Sequence, residues 1–407
     1  MKKAWAARLV AALLIAVLLP LGALAAEGEI KLPNLSYIKQ REIPDNEAMA
    51  FLKKMGIGWN LGNTFDATHD SYNGDEMDIE SLWVGVKTKE DMIKMVKDAG
   101  FNTIRMPVSW HNHVDEEFNI SKNWLDRVQE VVDWAIALDM YVILNTHHDV
   151  GKKYYYPNSE NWEVSEKYVQ RIWQQLAERF RDYDEHLIFE SLNEPRLVGT
   201  EDEWVFNAGK ATCQDAADCI NKMNQVFVDT VRASGGNNAG RYLMVPGYAA
   251  SVDGALTELF KLPKDQADNK IIVSVHAYTP YPFALQAQQD GGTDTFLMTD
   301  PGQTGEIIRF MNNLYKTYIA NGIPVVIGEY GARNKDDNLQ SRVNFAAFYC
   351  ANASARNMPC VWWDNNARKG NGELFGLLNR KGLEWAYPEI INALVTFAGY
   401  DKIPADE

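Results

Sequence analysis

Two glutamates stand where short apolar runs end, and their chemistry is the first question that this sequence raises. Glu194 follows the run Leu187–Leu192 within the triplet NEP, and Glu329 follows Val325–Gly328. A carboxylate beside buried apolar segments is costly, which favours a chemical role over a structural ion pair. Glycosidic cleavage needs two such groups, one protonated at the leaving oxygen and one ionised on the opposite face of the sugar. The pair therefore predicts glycoside chemistry.

The residues around the two glutamates predict a division of labour. Arg105 near Glu329 would keep that carboxylate ionised for nucleophilic attack, and Tyr278 would donate a hydrogen bond to it. Glu194 would then be the acid, and Asn193 beside it would bond the sugar 2-hydroxyl. Further candidates for binding or support at the ends of apolar runs are Asn60, His147, His148, His276 and Trp363.

Two histidine pairs, His111 with His113 and His147 with His148, raise the question of a metal site. A barrel metallohydrolase would place an HxH pair at its first strand, whereas the HxH pair here, His111 and His113, follows the second predicted strand. We therefore expect no metal and no other cofactor, with His147 and His276 binding sugar hydroxyls or supporting the residues that do.

Positioning these side chains requires a scaffold that brings many strand ends together. From Gly56 onward, short β-branched or apolar runs alternate with amphipathic windows, which is typical of β–α units and a parallel sheet. An open doubly wound sheet would look similar up to six strands, but eight units over about 340 residues favour a single closed (β/α)₈ barrel. The predicted strands are Gly56–Leu61, Asn102–Val108, Tyr141–Asn145, Leu187–Leu192, Arg241–Val245, Ile271–His276, Pro324–Gly328 and Val361–Trp363.

Helical windows fill the intervals between these strands. Thr88, with Asp91 three residues later, has capping-box spacing at the start of the first window. The predicted helices are Lys87–Ala99, Asn123–Leu138, Ser165–Phe180, Ile220–Ser234, the short Gly254–Phe260, Glu306–Ile319, Ser341–Asn357 and Trp385–Phe397.

The amino terminus has the three zones of a secretory signal peptide. Basic residues precede eleven apolar residues, Leu9–Leu19, and a small-residue site ends at Ala25. Eleven residues are too short to span a membrane. We expect cleavage near Ala25 and secretion, with no membrane association afterwards. The predicted organisation is a signal peptide at 1–25, a short lead-in at 26–48, the catalytic barrel at 49–400 and a tail at 401–407.

Composition narrows the class of protein. The chain has 407 residues, of which 46% are apolar and 23% charged, so disorder is excluded as its main state. Its 55 acidic and 40 basic residues give a formal net charge of −15, which argues against a nucleic-acid partner. We expect a monomer that binds a polysaccharide.

Four cysteines would meet an oxidising compartment after export. Two local bridges are plausible, Cys213 to Cys219 and Cys350 to Cys360, but four cysteines allow three pairings and the sequence does not choose among them. Buried free thiols are the alternative.

Seven ordered motifs resemble glycoside hydrolase family 5, the cellulase family A of clan A, and most closely its subfamily 4 endoglucanases. The resemblance covers nearly the whole chain after the signal peptide. The motifs are GWNLGNTFDA at 58–67, TIRMPVSWHNH at 103–113, VILNTHHD at 142–149, IFESLNEPR at 188–196, SVHAYTPY at 274–281, VIGEYGA at 326–332 and WWDNN at 362–366.

This resemblance implies a retaining double displacement, with Glu194 as acid/base and Glu329 as nucleophile. It also implies an aromatic platform at Trp363, with Trp362 as the adjacent alternative. Supporting roles fall on Arg105, His147, Asn193, His276 and Tyr278.

The implied substrates are β-1,4-glucans cut at internal bonds: carboxymethyl cellulose and mixed-linkage β-glucan, with xyloglucan and xylan as side activities. A related barrel xylanase, xyloglucanase or mannanase is the first alternative, and a non-catalytic secreted sugar-binding protein is the second. Candidates for stacking on sugar rings are Trp59, Trp83, Trp110, Tyr154, Trp162 and Trp204, of which we rank Trp59 and Trp110 higher because they lie beside strand ends.

Overall fold

Eight parallel strands close into a barrel in the computed structural model, which describes residues 29–406. Each strand pairs with its neighbour in the sequence, and β8 pairs back with β1, so the predicted (β/α)₈ barrel is confirmed. The strands are β1 Ile57–Leu61, β2 Thr103–Met106, β3 Tyr141–Asn145, β4 Leu187–Glu190, β5 Leu243–Pro246, β6 Ile271–His276, β7 Val325–Tyr330 and β8 Cys360–Asp364. The predicted signal peptide lies outside the described residues.

Helices surround the barrel, and every residue of the eight strands is buried, as expected for a parallel sheet covered on both faces. The helices are α1 Glu47–Met55, α2 Glu90–Asp98, α3 Lys122–Ala137, α4 Trp162–Arg179, α5 Ala211–Ala233, α6 Val252–Leu256, α7 Tyr281–Ala284, α8 Pro301–Thr317, α9 Leu339–Ser354 and α10 Pro388–Phe397. A two-stranded antiparallel sheet, β9 Leu378–Asn379 with β10 Glu384–Trp385, precedes α10. No helix in residues 29–406 is long and apolar enough to cross a membrane.

Helix α1 was not predicted, because residues 47 and 48 were assigned to the lead-in and residues 49–55 to no helix or strand. The Asn46 side chain caps it by accepting a hydrogen bond from the Met49 amide at 2.8 Å. Phe51 of α1 stacks on Tyr242 with ring centroids 3.7 Å apart and meets Tyr141 edge-on. These tyrosines lie at the amino ends of β5 and β3, so α1 closes the barrel at the end opposite the predicted site.

The capping box predicted for α2 is wrong. Lys89 occupies the N-cap position and makes no side-chain cap bond, while the Thr88 hydroxyl has no partner among the described residues. The Thr88 amide instead donates to the buried Glu80 carboxylate at 2.7 Å. A tertiary contact thus replaces the local one.

All four cysteines are buried free thiols, so neither local bridge is formed. Cys213 and Cys219 both lie in α5, which begins nine residues earlier than predicted. Six residues of helix separate them by about 9 Å along the axis, beyond the span of a disulfide. Cys350 of α9 and Cys360 of β8 are neighbours, and the hydrogen bond between the two thiols, together with burial, raises the pKa of Cys350.

Candidate active site

A buried arginine, Arg105 of β2, organises the carboxyl end of the barrel. Its guanidinium donates to the Glu329 carboxylate at 2.7 Å and to the Asn60 side-chain oxygen at 3.0 Å. It also donates to Glu190 at 2.7 Å and to the Asn193 side-chain oxygen at 2.7 Å. One fixed fork of donors thus connects the ends of β1, β4 and β7.

Strand register explains why these residues meet. Asn60 pairs with Arg105 across β1 and β2, and with Trp363 across β1 and β8. Between β6 and β7 the register shifts after Val275, so that His276 comes opposite Glu329. Local pairing therefore puts an amide, a guanidinium, an indole, an imidazole and a carboxylate at one end of the barrel.

Glu329 is held on both carboxylate oxygens. Arg105 donates to Oε1 at 2.7 Å, and the Tyr278 hydroxyl donates to Oε2 at 2.9 Å. His276 Nδ1 lies 3.7 Å from the same Oε2. The carboxylate is therefore oriented and its charge is stabilised from two sides, with 5% of the residue exposed.

Glu194 faces Glu329 across the barrel mouth. Its Oε1 accepts a hydrogen bond from His276 Nδ1 at 2.8 Å, and Arg196 Nη1 lies 3.7 Å from its Oε2. One carboxyl oxygen of Glu194 lies within 4.8 Å of one of Glu329. Retaining glycosidases separate their two carboxyl groups by about 5 to 5.5 Å and inverting ones by about 6.5 to 9.5 Å. An oxygen-to-oxygen approach below 4.8 Å is compatible with the shorter of these two spacings.

Glu194 and His276 shift each other's pKa across their hydrogen bond. Burial raises the pKa of Glu194, but the hydrogen bond and charge of His276, with Arg196, lower it further, to a net value below the ordinary one. Burial lowers the pKa of His276, but Glu329 first and Glu194 second raise it above its usual value, against the opposing charge of Arg105.

His147 and Trp363 form a second part of the site. Their rings are parallel, with centroids 5.7 Å apart. Burial above all, with nearby positive groups, keeps the pKa of His147 well below its usual value, so the imidazole is neutral. A side chain at Gly62 would approach the Trp363 ring to 2.8 Å, so the absence of one allows the ring to lie where it does. His148 lies at the rim, 39% exposed and 3.8 Å from Asp66.

These groups line a cleft of about 1180 Å³. Eight of the predicted site residues form its walls: His147, His148, Asn193, Glu194, His276, Tyr278, Glu329 and Trp363. Arg105 and Asn60 lie beneath the cleft and are fully buried, so they position other residues rather than touch a ligand. Trp204, Tyr281, Arg333 and Glu373 extend the walls.

The ranking of Trp59 and Trp110 as stacking residues is wrong. Both are fully buried, and their indole N–H groups donate to Asp364 and to the Asn145 carbonyl at 3.0 and 2.9 Å. Because successive strand residues point to opposite faces, Trp59 must turn outward when Asn60 points into the barrel. The same alternation buries Trp362, which donates to the Phe375 carbonyl, and leaves Trp363 facing the cleft.

The other aromatic candidates divide by position. Trp204 is 61% exposed at the cleft, with the Arg196 guanidinium 3.9 Å from its ring centroid. Trp83 is 44% exposed, and its ring centroid lies 5.9 Å from that of His148. Tyr154 lines a separate surface depression beside Phe118, and the Trp162 ring lies under Lys222.

The remaining histidine pair lies outside the cleft lining. His111 Nδ1 lies 2.8 Å from an Asp149 carboxylate oxygen. His113 stacks on Trp124, and burial lowers its pKa to about 3. Each ring is therefore used in packing or hydrogen bonding within the protein.

Glu190 was missed by the sequence reasoning, although it is central to the site. It is fully buried in β4 and accepts hydrogen bonds from Arg105, from Asn145 at 3.0 Å and from the Ser274 hydroxyl at 2.6 Å. A signal was present, because a charged residue inside an otherwise apolar strand needs an internal partner. Arg105, in the strand two places away, is that partner.

Comparisons with known proteins agree on one family. A family model described as cellulase, glycosyl hydrolase family 5, matches residues 65–369. Endoglucanase 1 of Ruminococcus albus is 44% identical over 88% of this chain and 83% of its own length. A family 5 lichenase from Caldicellulosiruptor sp. F32 is 55% identical with a TM-score of 0.89, covering 90% of this chain and 99% of that one. A broad-specificity GH5-4 endoglucanase from Ruminococcus champanellensis, solved with cellotriose, is 44% identical with a TM-score of 0.80 over 87% of this chain and all of its own.

Proposed function

Since the chain belongs to glycosyl hydrolase family 5 and is an endo-β-1,4-glucanase, we propose that it cleaves its polymer by a retaining double displacement. Glu329 is the nucleophile and Glu194 is the acid/base. The close approach of the two carboxylates, with one oxygen of each within 4.8 Å of the other, is the observation that carries this proposal, because retaining enzymes hold their carboxyl groups closer together than inverting ones.

In the first step, a Glu329 oxygen attacks the anomeric carbon as the bond to the leaving glucan oxygen breaks. Arg105 and Tyr278 hold the attacking carboxylate in one orientation until the glycosyl ester forms. Asn193, aligned by its bond from Arg105, is placed to contact the sugar 2-hydroxyl, an interaction that strengthens in the oxocarbenium-like transition state.

The proton for the leaving oxygen comes from the Glu194–His276 pair. When His276 is protonated and Glu194 ionised, transfer of the proton from His276 Nδ1 to Glu194 across their 2.8 Å contact leaves both groups neutral. A bound substrate buries the two side chains further, which favours their neutral forms. Glu194 then gives the proton to the leaving oxygen. In the second step the ionised Glu194 takes a proton from water, which attacks the anomeric carbon and releases Glu329.

Replacing Glu329 by glutamine is expected to lower the pKa of His276. The Glu329 charge is the largest influence that raises the His276 pKa, and the amide removes that charge while keeping the shape. NMR titration of the His276 ring in both proteins measures the shift, with the ring signals of His186, at the amino end of β4, as internal control. An unchanged or raised His276 pKa would show that the Glu329 charge does not stabilise the protonated form of His276.

The substrate is a β-1,4-linked glucan, and we propose mixed-linkage β-glucan and cellulose-type chains as preferred polymers, with xyloglucan as a side activity. Support comes from the relatives: a lichenase, broad-specificity endoglucanases and a xyloglucan-specific endo-β-1,4-glucanase. Purified protein assayed on mixed-linkage β-glucan, carboxymethyl cellulose, xyloglucan, xylan and mannan, with product lengths measured, tests this order. Faster cleavage of xylan or mannan would overturn it.

Trp363 is expected to bind the sugar ring next to the scissile bond. Replacing it by alanine removes a flat apolar face from the cleft, and we expect kcat/KM on β-glucan to fall about 10- to 100-fold, the loss of roughly 1.4 to 2.7 kcal/mol of stacking and burial. Trp59→Phe is the matched control, because Trp59 is buried outside the cleft. Trp59→Phe should lower Tm while preserving KM. If Trp59→Phe weakened substrate binding and Trp363→Ala lowered only Tm, Trp363 would be the packing residue and Trp59 the binding residue.

We also propose that the protein is exported by its signal peptide, which is cleaved near Ala25, and that it acts as a monomer. The basic, apolar and small-residue zones of residues 1–25 support export. Amino-terminal sequencing of protein recovered outside the cell tests the first claim, and light scattering tests the second. An intact amino terminus or a dimer mass would contradict them.

A further inference from the structure

The segment that follows Glu194 is tied to the loop after β5 by hydrogen bonds on two sides. The Ala249 amide donates to the Pro195 carbonyl at 2.8 Å, one residue after Glu194. The Leu197 amide donates to the Tyr248 hydroxyl at 3.0 Å, and that hydroxyl in turn donates to the Asp202 carbonyl at 2.6 Å. Tyr248 and Ala249, in the loop after β5, thus form hydrogen bonds to three backbone groups of the segment that follows Glu194.

The loop that makes these contacts is itself rigid. Ala249 and Ala250 both have positive φ, 52° and 47°, which side-chain-bearing residues rarely adopt. Tight packing holds them there, because a side chain at Gly254 would come within 2.2 Å of the Tyr248 carbonyl oxygen. Strain of this kind persists only where the surroundings enforce it, and it concentrates at functional sites.

Tyr248 is suited to a permanent anchor. It is 2% exposed, and burial raises the pKa of its hydroxyl to about 12, so the proton donated to Asp202 stays in place at every pH of interest. The hydroxyl uses both its acceptor and its donor capacity within the segment that follows Glu194.

That segment carries more than the carboxylate. The Arg196 guanidinium donates to the Glu194 carbonyl at 3.0 Å and to Glu203 at 3.2 Å, and it lies 3.9 Å from the Trp204 ring centroid. Trp204 lines the cleft on the same segment as Glu194. A shift of this segment would displace the proton donor together with this wall.

We propose that Tyr248 is a positioning residue for proton transfer, which holds the segment 194–204 so that Glu194 is aligned with the leaving oxygen. The inference rests on the proposed role of Glu194 as acid/base. It assigns to Tyr248 an effect on the protonation of the leaving group and none on the attack by Glu329.

Tyr248→Phe, assayed on two substrates, tests this assignment. On mixed-linkage β-glucan, whose leaving group needs a proton, kcat/KM should fall about tenfold, within the range of general acid catalysis. On 2,4-dinitrophenyl β-cellobioside, whose leaving group needs none, kcat/KM should stay within about twofold of the parent value, because it reports the step before deglycosylation. Equal losses on both substrates, or no loss on either, would overturn the proposal.

Tyr183→Phe is the matched control. The Tyr183 hydroxyl also accepts one hydrogen bond and donates another, from Gln129 and to Asp133, but it lies just before β4, away from the cleft. Tyr183→Phe should leave kcat/KM unchanged on both substrates. If Tyr248→Phe does not fold, Tyr156→Phe removes the hydroxyl that donates to the Val198 carbonyl at 2.9 Å and tests the same segment with the same criterion.

Glu194→Ala run in parallel separates this inference from the proposed function. If Glu194→Ala lowers kcat/KM equally on both substrates, the acid/base assignment itself fails. If Glu194→Ala shows the leaving-group dependence and Tyr248→Phe does not, only the positioning role of Tyr248 is wrong.

Discussion

Glu329→Gln is expected to lower kcat on β-glucan by about 10⁴-fold or more while leaving oligosaccharide binding and folding nearly intact. An amide is too weak a nucleophile to form the glycosyl ester, yet it has the shape of the carboxylate and can still accept a hydrogen bond from Arg105. Hydrolysis rates, calorimetric binding of cellotetraose and thermal unfolding measure the three properties separately.

Glu190→Gln is the matched control for this variant. Glu190 and Glu329 both accept from Arg105 at 2.7 Å, but Glu190 is fully buried beneath the cleft. A purely electrostatic role of the Arg105 cluster predicts similar losses for the two variants. The nucleophile assignment instead predicts that Glu190→Gln retains far more activity, and that Glu329→Gln loses neither binding nor fold.

Glu194→Ala is expected to slow deglycosylation strongly and to be rescued by azide. Loss of a general acid/base costs about 10²- to 10⁴-fold, and the missing side chain leaves space for a small anion beside the glycosyl ester. With 2,4-dinitrophenyl β-cellobioside the first step needs no acid, so added azide should raise turnover and yield a β-cellobiosyl azide. Rate measurements at increasing azide, with NMR of the product, test this.

Two outcomes would contradict the assignment of Glu194. A loss that azide does not relieve would mean that Glu194 acts in binding or folding. An α-azide would mean that the intermediate is not the α-linked ester that attack by Glu329 produces.

Strand ends were predictable from the sequence, because buried strands appear as short apolar runs that alternate with amphipathic helical windows. The runs before Glu194 and Glu329 located β4 and β7 to within two residues, and the rule that barrel chemistry lies at carboxyl ends placed both carboxylates on one face. Side-chain direction was less predictable. Trp59 and Asn60 are neighbours in one strand. The pairing of Asn60 with Arg105 and the hydrogen bond between their side chains show that Asn60 is the one that points into the barrel.

Contacts between distant segments leave no such pattern in the sequence. Nothing in the sequence before β1 indicates that Phe51 will stack on Tyr242, which makes α1 the cover of the barrel's amino end. Likewise the partners of the Tyr248 hydroxyl lie about 50 residues earlier in the chain, in a segment without regular structure. Periodicity reports elements, whereas such bonds depend on how the elements are assembled.

The cysteines show a different limit. Spacing made Cys213 and Cys219 look like a local bridge, but the helical window was begun too late and hid the fact that both lie in α5. Once two cysteines share a helix six residues apart, the rise per residue forbids the bond.

Trapping the covalent intermediate tests the central claim most directly. Incubation with 2,4-dinitrophenyl 2-deoxy-2-fluoro-β-cellobioside should add one fluorocellobiosyl group to the protein. The fluorine slows both steps, whereas the activated leaving group speeds only the first, so the glycosyl ester accumulates. Peptide mass spectrometry should then locate the group on Glu329. No adduct, or an adduct on any other residue, would contradict a double displacement at Glu329.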